Sequence, residues 1–150
     1  MENSEPALFV SLKPRFAEMI LSGEKTVEIR RVAPTVSPGA RIILYASSPS
    51  MEVVGSGRVG ALDSASPTAL WDRHRDGCGL TRSEFRSYLA GAQRAVAITL
   101  DDVLRLPRTI PLADLGRLLW TGFRPPQSWR YLQAKDAATL LQDADLATQA

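Results

Sequence analysis

The sequence predicts an α+β domain in which a small mixed β-sheet or β-barrel is flanked by short helices. Five or six short strand-like runs are interspersed with short helical runs along the 150 residues. Strands and helices do not alternate regularly, which argues against a doubly wound parallel sheet. The glycines of GSGRVG and GCG are not followed directly by a helix, so they do not fit a dinucleotide-binding loop. The sequence therefore argues against a nucleotide-cofactor fold.

The predicted elements of the first half rest on apolar periodicity and on its breakers. Pro14 suits the first turn of a helix, and Gly23 lies where a helix commonly ends. The glycines of VVGSGRVG indicate bulges or close backbone approach within a strand. In order, the elements are a strand at 7–12, a helix at 14–22, and strands at 25–31, 40–47 and 52–62.

The second half continues with helices and one long strand. Ser66 or Pro67 can open a helix, and Thr81 begins a second one. The alternating apolar residues after residue 94 predict a strand. The elements are helices at 66–76 and 80–91, a strand at 94–106, a short helix at 111–119, and a helix that follows the PPQ breaker. We expect one domain over residues 1–150, with its core at about 7–132 and a helical tail at 133–150.

Composition and targeting signals indicate the class of protein. The chain is 45% hydrophobic and 23% charged, as in ordinary globular domains. No apolar run approaches the roughly 20 residues that a membrane helix needs. The N-terminus lacks the basic and long apolar regions of a secretory signal. We therefore expect a cytoplasmic protein without a membrane partner.

The metal-binding residues are few. One cysteine, Cys78, excludes an internal disulfide, and with the single His74 it argues against a zinc site. We expect no metal and no cofactor, a solvated His74 in a charged helix, and no chemical role for Cys78. The sequence does not indicate an oligomeric state.

Lysine is scarce among the basic residues. The formal net charge of +2 permits a nucleic-acid partner without requiring one. Fifteen of the 18 basic residues are arginine; the lysines are Lys13, Lys25 and Lys135. A lysine can lose its charge when buried, whereas arginine stays charged. Retention of Lys25 hints that this position needs a lysine.

The segment LSGEKTVEIRR places polar residues at alternate positions. Thr26, Glu28 and Arg30 would share one face of a strand, and Val27 and Ile29 the other. Such a face can line a cleft. Alternatively, it is a solvated surface with a weak salt bridge.

Three segments together resemble a known family. The segments SLKPRFAEMILSGEKTVEIRR, PGARIILYASSP and VVGSGRVG, followed by PPQSWRYL, are similar to the ASCH (activating signal cointegrator homology) family of the PUA-like superfamily. The resemblance covers about residues 7–132 and centres on the pattern G-x-K-x-x-E-x-R. It implies a small mixed β-barrel flanked by helices, with a cleft beside the G-x-K turn. Related domains bind RNA or modified bases there, and some members are acetylcytidine hydrolases or ribonucleases.

On this resemblance, the cleft residues acquire candidate roles. Lys25 could contact a phosphate or a base carbonyl, and Glu28 could accept from an exocyclic amine. Arg30 could orient Glu28 or bind phosphate through its fork. The further candidate ligand contacts are Lys13, Thr26, Tyr45, Ser47, Ser48, Ser128, Trp129 and Arg130. For Ser47 and Ser48 the alternative is a turn, for Ser128 a helix cap, and for Trp129 the core.

The amidohydrolase members of the family imply a specific catalytic set. That set has a lysine at G-x-K, a threonine three positions later, and a glutamate after an L-T motif. Lys25 and Glu84 match, but Glu28 stands where the threonine is expected. Glu84 also fits a capping box with Thr81. The candidate catalytic residues are Lys25, Glu28 and Glu84.

Three functions therefore remain open at the level of sequence. The first is a domain that binds RNA or a modified nucleoside. The second is an RNA hydrolase, either a ribonuclease or an amidohydrolase, that uses Lys25. The third is a regulatory domain that binds a protein through the helical region 71–90.

Overall fold

The structure, a computed structural model, describes the backbone of residues 5–149 and the side chains of residues 5–145. Its strands are β1 (Ala7–Leu12), β2 (Val27–Arg30), β3 (Arg41–Ala46), β4 (Glu52–Ala65), β5 (Ala95–Pro111) and β6 (Trp129–Leu132). Its helices are α1 (Pro14–Ser22), α2 (Pro67–His74), α3 (Arg82–Tyr88), α4 (Leu112–Leu118) and α5 (Ala134–Gln149). Residues 1–4 and 150 of the predicted domain lie outside the described part.

The six described strands form one mixed sheet that curves into a half-barrel. The strand order is β2-β5-β4-β3-β1-β6, so β2 and β6 are the two edges. Strands β1 and β3 pair directly in parallel, and helix α1 is part of the connection between them. The other pairs are antiparallel. The predicted fold, a small mixed β-barrel with flanking helices, is confirmed. No helix in the described residues is long and apolar enough to span a membrane.

Glycines bend the long β4–β5 ribbon. The register of the pair shifts at three places, and Gly55, Gly57 and Gly60 lie at or beside these shifts. A Cβ at Gly55 would lie 2.8 Å from the backbone oxygen of Leu104. The bulges predicted from these glycines are confirmed, and they increase the local twist that curls the sheet.

The strands bury side chains on both faces. Phe9 of β1 joins the cluster beneath α5, whereas Leu8 and Val10 belong to the cluster inside the half-barrel. Helix α5 contributes Ala137 and Leu140 to the outer cluster. Helix α5 therefore packs on the core through these residues.

Two local predictions are wrong. The chain after the PPQ breaker forms strand β6 before the helix, because residues 129–132 pair with β1 and this pairing overrides the helical spacing. Ser128 consequently precedes a strand and does not cap a helix. His74 is not freely solvated: its side chain is only 15% exposed, and its Nε2 lies 2.7 Å from Oδ2 of Asp63.

Candidate functional site

An open cleft of about 920 Å³ lies where β1 and β3 end, beside the segment from Lys25 to Arg30. Helix α3 and the residues before β6 form its other walls. Of the predicted site residues, its deeper part holds Lys25, Glu28, Arg30 and Tyr45. Its outer part holds Lys13, Ser47, Ser48 and Glu84. This volume is at the upper end of typical small-ligand sites, which run from about 300 to 1,000 Å³.

Lys25 is buried in the wall of this cleft. Its side chain is 2% exposed, and its Nζ donates to the carbonyl of Cys78. The same Nζ lies 3.3 Å from Oε1 of Glu28 and faces the ring of Phe16. The turn through Gly79 covers the lysine stem. The cleft wall thus carries a desolvated ammonium.

Glu28 lies between two cations. Its Oε2 is 2.7 Å from Nη2 of Arg30, while its Oε1 faces Lys25. The three side chains form two ion pairs that share Glu28, with one net positive charge. This explains why the segment carries a carboxylate and a guanidinium on one face.

Arg30 joins the two edges of the half-barrel. From β2, its Nη1 donates to Oγ of Ser128, at 2.7 Å, just before β6. Its Nη2 also donates to the carbonyl of Ser11 in β1, at 3.2 Å. A second contact across the same opening runs from the Thr35 N–H to the hydroxyl of Tyr131. Side chains therefore connect two strands that share no backbone ladder.

Hydroxyl groups occupy the side of the cleft formed by β1 and β3. Tyr45 is opposite Ser11 in the parallel pair, and both line the cleft. Burial raises the pKa of Tyr45 above its ordinary value, so the phenol stays a neutral donor at physiological pH. Ser47 also closes a turn, because its carbonyl accepts from the backbone N–H of Ser50. The turn expected for this segment is confirmed, and its serines still face the cleft.

Thr26, Trp129 and Arg130 are not brought into the cleft wall. Strand β2 begins only at Val27, and the Thr26 side chain lies beside Gly77, so the predicted alternation does not reach Thr26. Trp129 faces the inside of the half-barrel. Arg130 lies on the opposite face of β6, over the ring of Trp120.

Comparison with known proteins gives the family. The family described as Domain of unknown function (DUF365) matches residues 8–116. A relative from Zymomonas mobilis named ASCH domain-containing ribonuclease is 35% identical over 132 residues, which cover 88% of each chain. The chain belongs to the ASCH domain family.

Solved structures agree with this assignment. The crystal structure of ASCH from Zymomonas mobilis superposes on this ASCH domain with a TM-score of 0.85 and 34% identity, covering 91% of this chain and 94% of the other. Human THYN1, solved in complex with DNA containing 5-methylcytosine, has a TM-score of 0.60 at 12% identity and covers 93% and 98%. The second likeness shows the shared fold. The resemblance seen in the sequence motifs is confirmed.

In this ASCH domain, Glu84 is occupied by structural contacts. Its Oε1 accepts from the Thr81 N–H at 2.9 Å, and Oγ1 of Thr81 accepts from the Glu84 N–H at 3.1 Å. Arg15 adds two bonds to the same carboxylate, at 2.9 and 3.2 Å. The capping box predicted from the sequence is confirmed. The amidohydrolase set is incomplete, because Glu28 stands where its threonine is expected. Glu84 lines the cleft, but its carboxylate is bonded to Arg15 and Thr81.

The contacts of Glu84 predict a pH-dependent contribution to stability. Hydrogen bonds from Arg15, and then from the Thr81 backbone, lower the pKa of Glu84 from 4.5 to about 2. Because the folded-state pKa is depressed, the stabilisation is present above pH 4.5 and is lost as the pH falls towards 2. The difference in unfolding free energy between the wild type and Glu84→Gln is therefore expected to shrink over this interval.

Urea denaturation at a series of pH values measures this difference. Glu24→Gln, at an exposed position on the turn after α1, is the matched control. A difference for Glu84→Gln that stayed constant down to pH 2 would show that the carboxylate charge does not stabilise α3.

Several residues at the cleft were not predicted from the sequence. Ser11, Phe16 and Tyr88 line it, as does Pro125 before β6. Ser11 could have been predicted, since it is the one polar residue in the otherwise apolar run ALFVSL. Tyr88 could not have been predicted, because its place at the cleft depends on how α3 packs. In the described residues, no group of three or more His, Cys, Asp or Glu side chains could hold a metal.

Proposed function

We propose that the chain is a ribonuclease that binds RNA in the cleft and uses Lys25 to promote cleavage of the phosphodiester. The observation that carries the proposal is the buried ammonium of Lys25, held in the cleft wall by Glu28 and Cys78. The relative from Zymomonas mobilis, which bears the name ribonuclease, supports it at 35% identity.

The charges of the cleft suit a phosphodiester. Phosphate is an anion whose charge increases in the transition state of cleavage, and a preorganised donor in a water-poor site stabilises such charge most effectively. Lys25 supplies a cation, and Tyr45, as a neutral phenol, supplies an O–H donor. Glu28 fixes the direction of the ammonium from one side. RNA binding to such a site is expected to weaken as salt is raised.

The remaining cleft groups suit the rest of a nucleotide. Leu12, Phe16 and Met51 give apolar contact area, and the cleft is large enough for a base and its sugar. Lys13 is exposed at the start of α1, where it can meet a neighbouring phosphate. An RNA chain could therefore cross the cleft with one nucleotide inserted.

Mass spectrometry of RNA incubated with the protein tests this function. Single-stranded RNA is expected to yield shorter fragments, and the termini of the fragments identify the attacking oxygen. Free N4-acetylcytidine is expected to remain unchanged, because the amidohydrolase set is incomplete. RNA that is bound but left intact would overturn the ribonuclease proposal in favour of an RNA-binding domain. A protein that neither binds nor cleaves RNA would favour the regulatory alternative.

A further inference from the structure

Ser11 carries the one buried side-chain oxygen or nitrogen that lacks a hydrogen-bond partner among the described residues. The residue is 8% exposed and lies near the end of β1. Burying a hydroxyl without a partner is unfavourable, and native proteins rarely leave one in this state. An unpaired group at a cleft therefore indicates a contact that is made when the cleft is occupied.

The backbone of Ser11 is fixed on both sides. Its N–H donates to the carbonyl of Ser128 at 2.9 Å, and its carbonyl accepts from Nη2 of Arg30 at 3.2 Å. Strand β1 pairs it with Tyr45 of β3. The hydroxyl is therefore carried on a rigid support, as preorganised recognition requires.

The neighbours of Ser11 indicate which part of a ribonucleotide it meets. The Ser11 carbonyl is bonded to Arg30, which pairs with Glu28, and Glu28 pairs with Lys25, the group proposed to meet the phosphate. Tyr45, the second donor proposed for the phosphate, is opposite Ser11 in the β1–β3 pair. In a nucleotide the sugar lies between the phosphate and the base. A neutral hydroxyl, which can both donate and accept, matches the hydroxyl of that sugar.

We propose that Ser11 hydrogen-bonds the ribose 2′-hydroxyl of the bound nucleotide and thereby selects RNA over DNA. This inference rests on the proposed function. The 2′-hydroxyl is the group by which proteins distinguish RNA from DNA at a given position. A site with a buried polar group rejects an analogue that lacks the matching hydroxyl, because the buried group is then left unpaired.

The experiment compares RNA and DNA of one sequence as competitors for a labelled RNA strand. The wild type is expected to prefer RNA, and Ser11→Ala is expected to weaken RNA binding about tenfold, the effect of one hydrogen bond. DNA binding should stay unchanged or improve. Ser11→Cys keeps the volume but is a weak donor, so it should behave like Ser11→Ala. Ser64→Ala, at an exposed position in β4, is the matched control.

The outcomes separate this inference from the proposed function. Equal losses for RNA and DNA would place Ser11 against the base or the phosphate and overturn the inference alone. An unaltered preference in Ser11→Ala, or a wild type without any preference for RNA, would also overturn it while cleavage of RNA stood. A wild type that neither binds nor cleaves RNA would overturn both. Thermal unfolding of each variant shows whether it has folded.

Discussion

Replacing Lys25 by methionine is expected to lower the rate of RNA cleavage by about 100-fold or more, the effect of removing one preorganised donor from a transition state. Methionine keeps most of the stem that packs under Gly79, so the wall of the cleft should persist. Glu28 retains its ion pair with Arg30, which leaves no carboxylate without a partner. The loss should fall mainly on kcat, because the ammonium acts most strongly on the developing charge.

Single-turnover cleavage and urea denaturation together test this effect. Lys135→Met, at an exposed position of α5 outside the cleft, is the matched control and should cleave at the rate of the wild type. Lys25→Arg is expected to fail as well, because the larger planar guanidinium does not fit beneath the Gly79 turn. A folded Lys25→Met protein with the wild-type rate would remove Lys25 from the mechanism.

Replacing Arg30 by glutamine is expected to lower the free energy of unfolding by about 3 kcal/mol, as when one partner of a largely buried ion pair is removed. The arginine side chain is 11% exposed and contacts Glu28, Ser128 and the carbonyl of Ser11. Glutamine is too short to keep all three contacts. The substitution also removes the contacts that join β2 to the strands at the other edge, and this lowers the free energy of unfolding further.

Arg105→Gln provides the comparison, since Arg105 also binds a carboxylate with two nitrogens but does so in solvent. Its partner is Glu18, at 2.8 and 3.0 Å, and both side chains are more than half exposed. An exposed pair of this kind contributes little to stability, because solvent screens the attraction between the two charges. Similar losses for Arg30→Gln and Arg105→Gln, measured by urea denaturation, would show that Arg30 does not hold the half-barrel together.

Local chemistry explains which parts of the fold could be predicted. Pro14 and Gly23 mark the two ends of α1, and Thr81 with Glu84 marks the start of α3. Each signal acts within one helical turn, so the sequence alone carries it. The shared polar face of Glu28 and Arg30 could likewise be predicted, because the alternation of side chains along a strand does not depend on which strand pairs with it.

The features that the sequence analysis did not predict depend on contacts between distant segments. Residues 129–132 have helical spacing and become a strand only because the exposed edge of β1 is there to pair with them. The burial of Lys25 depends on the Cys78 carbonyl, 53 residues further along the chain. The free hydroxyl of Ser11 could be recognised only once the partners of its neighbours were known.

The turn at Gly79 has a consequence for the reactivity of Lys25. Gly79 has φ +70°, and a Cβ there would lie 3.2 Å from Cβ and Cδ of Lys25, so the backbone covers the lysine directly. Reagents that modify amines must therefore approach Lys25 through the cleft. Labelling of Lys25 is therefore expected to fall when the cleft is occupied, with the exposed Lys135, outside the cleft, as the internal standard for the reagent.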